Sequence, residues 1–224
     1  MKLYEEFNQS KLQFLINNCD DYPKVKNKLS LFNYYLNRSR NNKIVSFYKS
    51  KSDSRLFVKN FGLQKIPSKI RNTICREYYN DYDIVNSHPV ILYYICKKNN
   101  IKSDELLNYI NNRDKILNSI SKDNSISIKD AKKIILSLTN GGTTDFNKLN
   151  IKHNELLKFK DEMRYIHCEL SLLYTDKFEE NKKKRIQNKK NYNHEASLTN
   201  ILICEIESKI LNDIYGLSSP ETAF

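Results

Sequence analysis

Glycine and proline are scarce in this chain, which contains only four of each among 224 residues. Because linkers between domains are commonly rich in these residues, the sequence marks no linker, and its length suits one large domain or two small ones. No apolar run approaches the roughly 20 residues that a membrane-spanning helix requires. Residues 1–15 carry acids among their apolar side chains, unlike a signal or transit peptide. We therefore predict a protein with no membrane partner.

Closely spaced cysteine pairs are absent too. The five cysteines are scattered without any CxxC spacing, and we interpret them as reduced core thiols of an intracellular protein. They are Cys19, Cys75, Cys96, Cys168 and Cys204.

Acidic side chains are outnumbered by basic ones, 26 against 38, which leaves a formal net charge of +12 and a pI of about 9.3. Such a charge favours a polyanionic partner, nucleic acid above all. The chain is also loaded with Lys, Asn, Ile and Tyr, as AT-rich coding sequences are. The charge is therefore as compatible with compositional drift as with phosphate binding.

Hydrophobic spacing predicts an α+β fold that is mainly helical, with a small antiparallel sheet. Residues 43–49 and 55–61 alternate apolar and polar side chains and predict a hairpin. Helices are predicted over 23–38, from 67 onward, and over 89–98, 103–120, 127–139, 154–174 and 196–215.

Three features of the predicted helices can be checked directly. Ser103 is a plausible N-cap, and Ser127 stands three residues before Asp130 in capping-box spacing. Gly141 and Gly142 are expected to end the helix that Ser127 opens. By contrast, KKKRIQNKKNYN, residues 183–194, has few apolar side chains and predicts a basic loop.

The stretch DYDIVNSHPV, which begins at Asp81, raises a chemical question, because burying a carboxylate beside Ile and Val costs several kcal/mol unless a cation meets it. An aspartate at the end of a short strand, Asp83, suits Mg²⁺, which binds through one or two carboxylates plus substrate phosphates. Pro89 fits the first turn of the next helix, which Ser87 or His88 can cap and whose free N–H groups face an anion. Alternatively, Asp81 is a solvated strand end, Asp83 pairs with a lysine, and Ser87 and His88 are only caps.

The sequence Asp-Ile-Val-Asn-Ser-His-Pro, followed by an apolar helix, resembles the metal-binding palm motif of the transposon-and-virus polymerases. These enzymes are relatives of family A DNA polymerases and of the single-subunit phage and mitochondrial RNA polymerases. Lys132, Leu136, Asn140 and Gly141 have the spacing of that family's fingers helix. Asn140 stands where DNA polymerases have Tyr, and Ile128 stands where an Arg is expected.

Two further segments resemble the same family in the same order along the chain. They are YINNRDKIL, with Tyr109 and Arg113, and NHEASLTNILICEIE, residues 193–207, which resembles the palm helix before the second catalytic aspartate. The resemblance covers roughly residues 55–215. It implies four regions: 1–54, helical with the first hairpin strand; 55–100, palm-like with the first metal motif; 101–150, fingers-like helices; and 151–224, the long helix, the basic loop and the last palm helix.

The resemblance implies template-directed nucleotidyl transfer, with Asp83 and the Ile84 carbonyl as ligands of Mg²⁺ or Mn²⁺. His88 is implied at the nucleotide sugar or a metal-linked water, and Lys132 at the triphosphate. Nucleotide contacts are also predicted for Asn86, Asn140 and Gly141. Nucleic-acid contacts are predicted for Arg71, Arg76, Arg113, Lys183, Lys184, Arg185 and His194, for which a solvated surface or a helix cap is the alternative.

The implied partners are a primer–template and nucleoside triphosphates, together with a second chain or a downstream helicase that completes the palm. The implied location is the cytoplasm or the virus factory of an infected cell. A second palm carboxylate is missing from its expected motif, because no His-Asp pair follows Glu207. Asp213 lies in helical context, and Glu195, Glu205 and Glu207 are acids in the right neighbourhood that stand outside the motif. We therefore expect a truncated, split or degenerate polymerase with little or no polymerisation by this chain alone.

Two other functions are compatible with the sequence. Asp81, Asp83 and His88, with His153 or His167, could form a metal-dependent nuclease site. A non-catalytic nucleic-acid-binding module is the stronger alternative. A Lys132 ammonium across a cleft from Asp83, within reach of a triphosphate, would favour the polymerase.

Overall fold

The computed structural model of the chain describes residues 2–51, 55–80, 84–142, 146 and 154–218. Backbone contacts divide the chain into two compact units, Met1–Asp83 and Ile84–Phe224, here called the N-terminal and C-terminal units. The predicted fold class is confirmed, because the chain is mainly helical with a three-stranded antiparallel sheet. Among the described residues, no helix combines the length and the apolar character that crossing a bilayer demands.

The N-terminal unit packs one face of a sheet against helices. Its strands, in the order β1-β2-β3, are Lys2–Glu6, Lys43–Lys51 and Arg55–Val58. Its helices are α1 (Gln9–Asn17), α2 (Pro23–Lys26), α3 (Leu29–Arg38) and α4 (Ser68–Cys75). The predicted β2–β3 hairpin is confirmed, whereas β1 was not predicted, because its partner strand lies about forty residues away in sequence.

The helix predicted over residues 23–38 is interrupted. The backbone at Lys28 leaves helical geometry, with φ −133° and ψ 25°, so α2 and α3 are separate elements. Val25 and Phe32, both fully buried, nevertheless enter the same core, as their spacing predicts.

The C-terminal unit is a helical assembly around one hydrophobic core. The helices for which the structure gives bounds are α5 (Ser87–Lys98), α6 (Asp104–Asn111), α7 (Arg113–Asp123), α8 (Ile128–Thr139), α9 (Asn154–Leu173), α10 (Thr175–Gln187) and α11 (His194–Ser218). The predicted helix 103–120 is two helices, because the backbone at Asn112 leaves helical geometry. The short strand predicted at the start of the acid motif is not found at residues 84–86, where Asn86 has a left-handed φ of 57°.

The basic loop predicted over residues 183–194 is wrong for its first half. Lys183, Lys184 and Arg185 lie in α10, which ends at Gln187. Lys, Glu, Gln and Arg are good helix formers. Lys184 also pairs with Glu180 one turn earlier, with Nζ 2.5 Å from Oε1. Polarity alone therefore misled the prediction.

The boundaries of α8 are confirmed. The Asp130 N–H donates to Ser127 Oγ at 3.1 Å, and the Ser127 hydroxyl donates to Asp130 Oδ2 at 2.6 Å. At the other end, the Gly142 N–H donates to the Ser137 carbonyl and the Gly141 N–H to the Leu138 carbonyl. This paired arrangement is a Schellman motif, which needs the left-handed backbone that Gly141 adopts at φ 73°.

Ser103 occupies the N-cap position of α6, as predicted. The Ser103 side chain makes no capping hydrogen bond there and donates to the Ile101 carbonyl instead. The carboxylate of Glu162, from α9, accepts from the N–H groups of Glu105 and Leu106 at 3.0 and 2.7 Å. A distant acid therefore supplies the cap.

Candidate functional site

The segment after the acid motif forms a sharp entry into α5. Asn86 occupies the N-cap position in the left-handed conformation, and its side chain makes no capping hydrogen bond. Ser87 and His88 lie inside the helix, so their predicted capping role is wrong. The Ser87 hydroxyl instead donates to Glu207 Oε1 on α11 at 3.2 Å.

His88 contacts the end of α8. Its Nδ1 lies 3.1 Å from Asn140 Oδ1, and both side chains are half-buried. Asn140 is the last residue before the Gly141 turn, and its Nδ2 donates to the Leu136 carbonyl at 2.9 Å. The structure therefore joins two motifs that lie about fifty residues apart and that the sequence assigned to one nucleotide.

Lys132 and Lys133 have different environments on α8. Lys133 Nζ lies 2.8 Å from Asp130 Oδ1 in an ion pair. Lys132 is exposed, and no acid within the described residues forms an ion pair with it. One turn to either side, Ile128 and Leu136 are 52% and 41% exposed. Lys132 is thus an exposed cation on a partly apolar stripe, two turns or about 12 Å along α8 from Asn140.

A cavity of about 440 Å³ borders the Gly141 turn. Its lining includes Lys160, Arg164 and His167 from α9 and Glu195 from α11. The Asn193 amide, just before α11, donates to the Gly141 carbonyl at 2.7 Å and closes one edge. Among the described lining residues, the two cations outnumber the one acid.

His167 is the buried titratable group of this cavity. Its Nδ1 lies 2.9 Å from Thr199 Oγ1, and its Nε2 makes no hydrogen bond with any described residue. Burial lowers the pKa of His167 to about 4, although the Leu138 carbonyl and the Glu195 carboxylate oppose the shift. The imidazole is therefore neutral at pH 7.

This lowered pKa predicts a pH-dependent stability. Because the folded pKa of His167 lies below its unfolded value of about 6.5, the unfolded chain binds more protons between pH 6.5 and pH 4. The stabilisation is complete above pH 6.5, and we expect about 3 kcal/mol to be lost as the pH falls to 4. The free energy of unfolding, measured by denaturant titration at each pH, should rise as the pH increases from 4 to 6.5. His167→Gln should flatten this pH dependence, whereas His194→Gln should retain it. Equal slopes in the two variants would contradict the assignment.

Arg71 and Arg76 share a cavity in the N-terminal unit. Its volume is about 560 Å³, and Cys75, Tyr79 and Leu63 also line it. Among the described residues that line it, none is acidic. The two predicted nucleic-acid contacts are therefore placed together in an open, positively charged cavity.

The other predicted nucleic-acid residues have mixed surroundings. Arg113 is half-buried, pairs with Asp114 at 2.9 Å and lies beside buried Tyr109, whose pKa burial raises despite that cation. Arg185 donates to the Tyr192 carbonyl at 2.6 Å and to Ser197 Oγ at 3.2 Å. Both guanidiniums thus have structural contacts within the unit.

Lys183 and His194 are the remaining members of this set. Lys183 is exposed on α10. His194 opens α11, and its Nε2 lies 3.1 Å from Asn191 Oδ1. Lys183 is thus the more accessible of the two to a phosphate.

The metal prediction falls largely outside the described residues. Asp81, Asp83 and His153 lie there, and Ile84, the first described residue of the motif, is half-buried without regular secondary structure. Within the described ranges, no cluster of three or more His, Cys, Asp or Glu side chains has a metal-binding arrangement.

The contact that Glu207 makes was not predicted from the sequence. Its Oε1 accepts from the hydroxyl of Ser87, which lies at the α5 entry four residues after Asp83. The sequence pattern around Glu207, including its spacing from Glu205 on the same helix, does not predict that contact. Only the packing of α11 against α5 brings it there.

The chain shares limited similarity with known proteins. No family model and no solved structure match it. Over 164 residues, 69% of this chain, it is 27% identical to the protein named "Putative helicase V13" of Sputnik virophage. The matched part is 20% of that protein, so the chain spans about one fifth of the length of this relative.

Proposed function

We propose that this chain is a polymerase-like nucleotidyltransferase module that binds a nucleoside triphosphate at the α5–α8 surface of its C-terminal unit. The observation that carries the proposal is the 3.1 Å contact between His88 and Asn140. This contact places His88, which lies five residues after Asp83, against the end of α8, the helix that carries Lys132. Two motifs assigned to one nucleotide thus share one surface.

Each side chain has a physical role in this proposal. The exposed Lys132 ammonium neutralises the triphosphate, with Ile128 and Leu136 beside it as apolar contacts for the base or sugar. His88 and Asn140 orient each other, so that either can present a polar atom to the sugar. Mg²⁺, when bound through Asp83, would stabilise charge on the phosphates.

The cavity that Arg71 and Arg76 line in the N-terminal unit supports nucleic acid as the second substrate. Arg71 and Arg76 present two guanidiniums in an open cavity whose described lining residues include no acid, which suits backbone phosphate. The name of the virophage relative supports a place in viral or mobile-element replication beside a helicase activity. A non-catalytic nucleic-acid-binding module remains the second candidate, favoured by the same cavity.

Nucleotide binding tests the proposal through two adjacent lysines. We expect Lys132→Ala to weaken binding of a fluorescent nucleoside triphosphate at least tenfold, because a charge contact to phosphate is lost. Lys133→Ala should change the affinity less than twofold, because that ammonium is already paired with Asp130. Fluorescence titration in Mg²⁺ measures both. An equal loss in the two variants, or none, would show that α8 does not hold the triphosphate.

Metal dependence tests the acid motif. We expect Asp83→Asn to weaken Mn²⁺ binding in the presence of nucleotide at least tenfold, because a charged ligand becomes a neutral one. Electron paramagnetic resonance of free Mn²⁺ measures this, with Asp213→Asn as the control. Extension of a primed template in Mn²⁺ that Asp83→Asn leaves unchanged would overturn the site assignment.

A further inference from the structure

The outer face of the N-terminal sheet carries three exposed aromatic rings. Side chains alternate along a strand, so Glu5, Ser46 and the buried residues of β2 face the helices, whereas Tyr4, Phe47 and Phe57 point away. These rings are 63%, 55% and 39% exposed. Leaving three aromatic rings exposed on one small face forgoes the stabilisation that burying them would bring.

The strand register places the rings on one diagonal. Tyr4 pairs with Val45, two residues before Phe47 on β2, and Phe57 pairs with Lys49, two residues after it. Each step from ring to ring is therefore one strand across and two residues along. Such diagonal neighbours are about 7–8 Å apart. The rings thus form a continuous line across all three strands.

Lysines flank this line. Lys2 lies directly opposite Phe47 on β1 and Lys49 directly opposite Phe57 on β3. The Lys59 N–H, just beyond β3, donates to the Phe47 carbonyl at 2.8 Å. Within the described residues, no acid forms an ion pair with these three lysines, whereas Glu6, at the end of β1, is paired with Lys43.

The line of exposed rings and the lysines beside it together favour one chemical class of partner. Every nucleobase has a π-face that stacks on an aromatic ring, and successive bases need successive rings beside cations that meet the phosphates. Bases inside a duplex are already stacked on each other and cannot reach a flat sheet. An apolar protein partner would not require a lysine beside each ring.

We propose that the Tyr4–Phe47–Phe57 face is a stacking platform for single-stranded nucleic acid, bound without strong sequence preference. The platform lies in the N-terminal unit and does not depend on the nucleotide site proposed for the C-terminal unit. It provides the chain with a way to hold an unpaired strand.

The test uses the full chain and a fluorescein-labelled 20-nucleotide single strand, as DNA and as RNA, with a duplex of the same sequence. We expect Tyr4→Ala combined with Phe47→Ala to weaken single-strand binding at least tenfold, measured by fluorescence anisotropy. Duplex binding should change less than threefold. Tyr4→Phe with Phe47→Tyr should restore single-strand affinity, because the rings remain.

Phe14→Ala is the matched control, because Phe14 is 58% exposed on α1 of the same unit and lies outside the sheet. It should leave single-strand affinity unchanged. Unchanged affinity in the double alanine variant would overturn the platform. So would an equal loss for single strand and duplex, or a wild-type dimer in light scattering that the variant dissociates.

Discussion

Replacing Glu5 with alanine should lower the free energy of unfolding of the N-terminal unit by about 5 kcal/mol. This carboxylate is 5% exposed beneath the sheet. It accepts hydrogen bonds from the Tyr35 hydroxyl and the Ser46 hydroxyl, both at 2.6 Å, and from the Leu63 N–H at 3.1 Å. The Tyr48 hydroxyl is a fourth donor.

The size of the effect follows from these donors. Burial, followed by the hydrogen bond to Glu5, raises the pKa of Tyr35 and of Tyr48, so both phenols remain protonated donors. Each buried donor left without an acceptor costs about 1–3 kcal/mol. Alanine removes the acceptor that all four donors share. The loss therefore exceeds that of an ordinary surface substitution.

Urea unfolding, with hydrogen exchange of β1 and β2 amides to locate the loss, measures the effect. Glu6→Ala is the matched control, since its neighbouring carboxylate makes an exposed ion pair with Lys43 at 2.9 Å. Such pairs contribute about 0–1 kcal/mol. Comparable losses in the two variants would show that the Glu5 network does not hold the sheet to its helices.

Replacing Gly141 with alanine should destabilise the C-terminal unit by about 4 kcal/mol. Gly141 adopts φ 73°, which L side chains rarely adopt. An added Cβ would lie 2.0 Å from Ala196 Cβ and 3.4 Å from Ala196 Cα. Because the contact is to an alanine on α11 and not to a flexible side chain, the helix itself must shift.

Gly142→Ala provides the comparison within the same turn. Its added Cβ would meet Ser137 Oγ at 2.5 Å, and that hydroxyl can rotate away. We expect a loss of about 1 kcal/mol there. Denaturant unfolding of both variants ranks their losses in free energy of unfolding. Nucleotide affinity should also fall with Gly141→Ala, because Asn140 moves with the turn. A larger loss for Gly142→Ala would contradict this account of the α8–α11 packing.

The contrast between these glycines shows how far local patterns extend. The capping box at Ser127, the glycine stop after α8 and the β2–β3 hairpin were all predicted correctly, because their hydrogen bonds join residues close in sequence. The Schellman geometry also needs only the chain around Gly141. That Ala196 is the neighbour that excludes a side chain there could not be predicted, because it lies more than fifty residues away.

The sequence on its own was sufficient for the helical α+β class, for the β2–β3 hairpin and for both ends of α8. The tertiary structure alone revealed β1, the buried Glu5 network, the Ser87–Glu207 contact and the meeting of His88 with Asn140. The physical reason is how far apart in sequence the interacting residues lie. Periodicity and capping are decided within a few residues, whereas side chains dozens of residues apart meet only when burial of the core sets which helices and strands pack together.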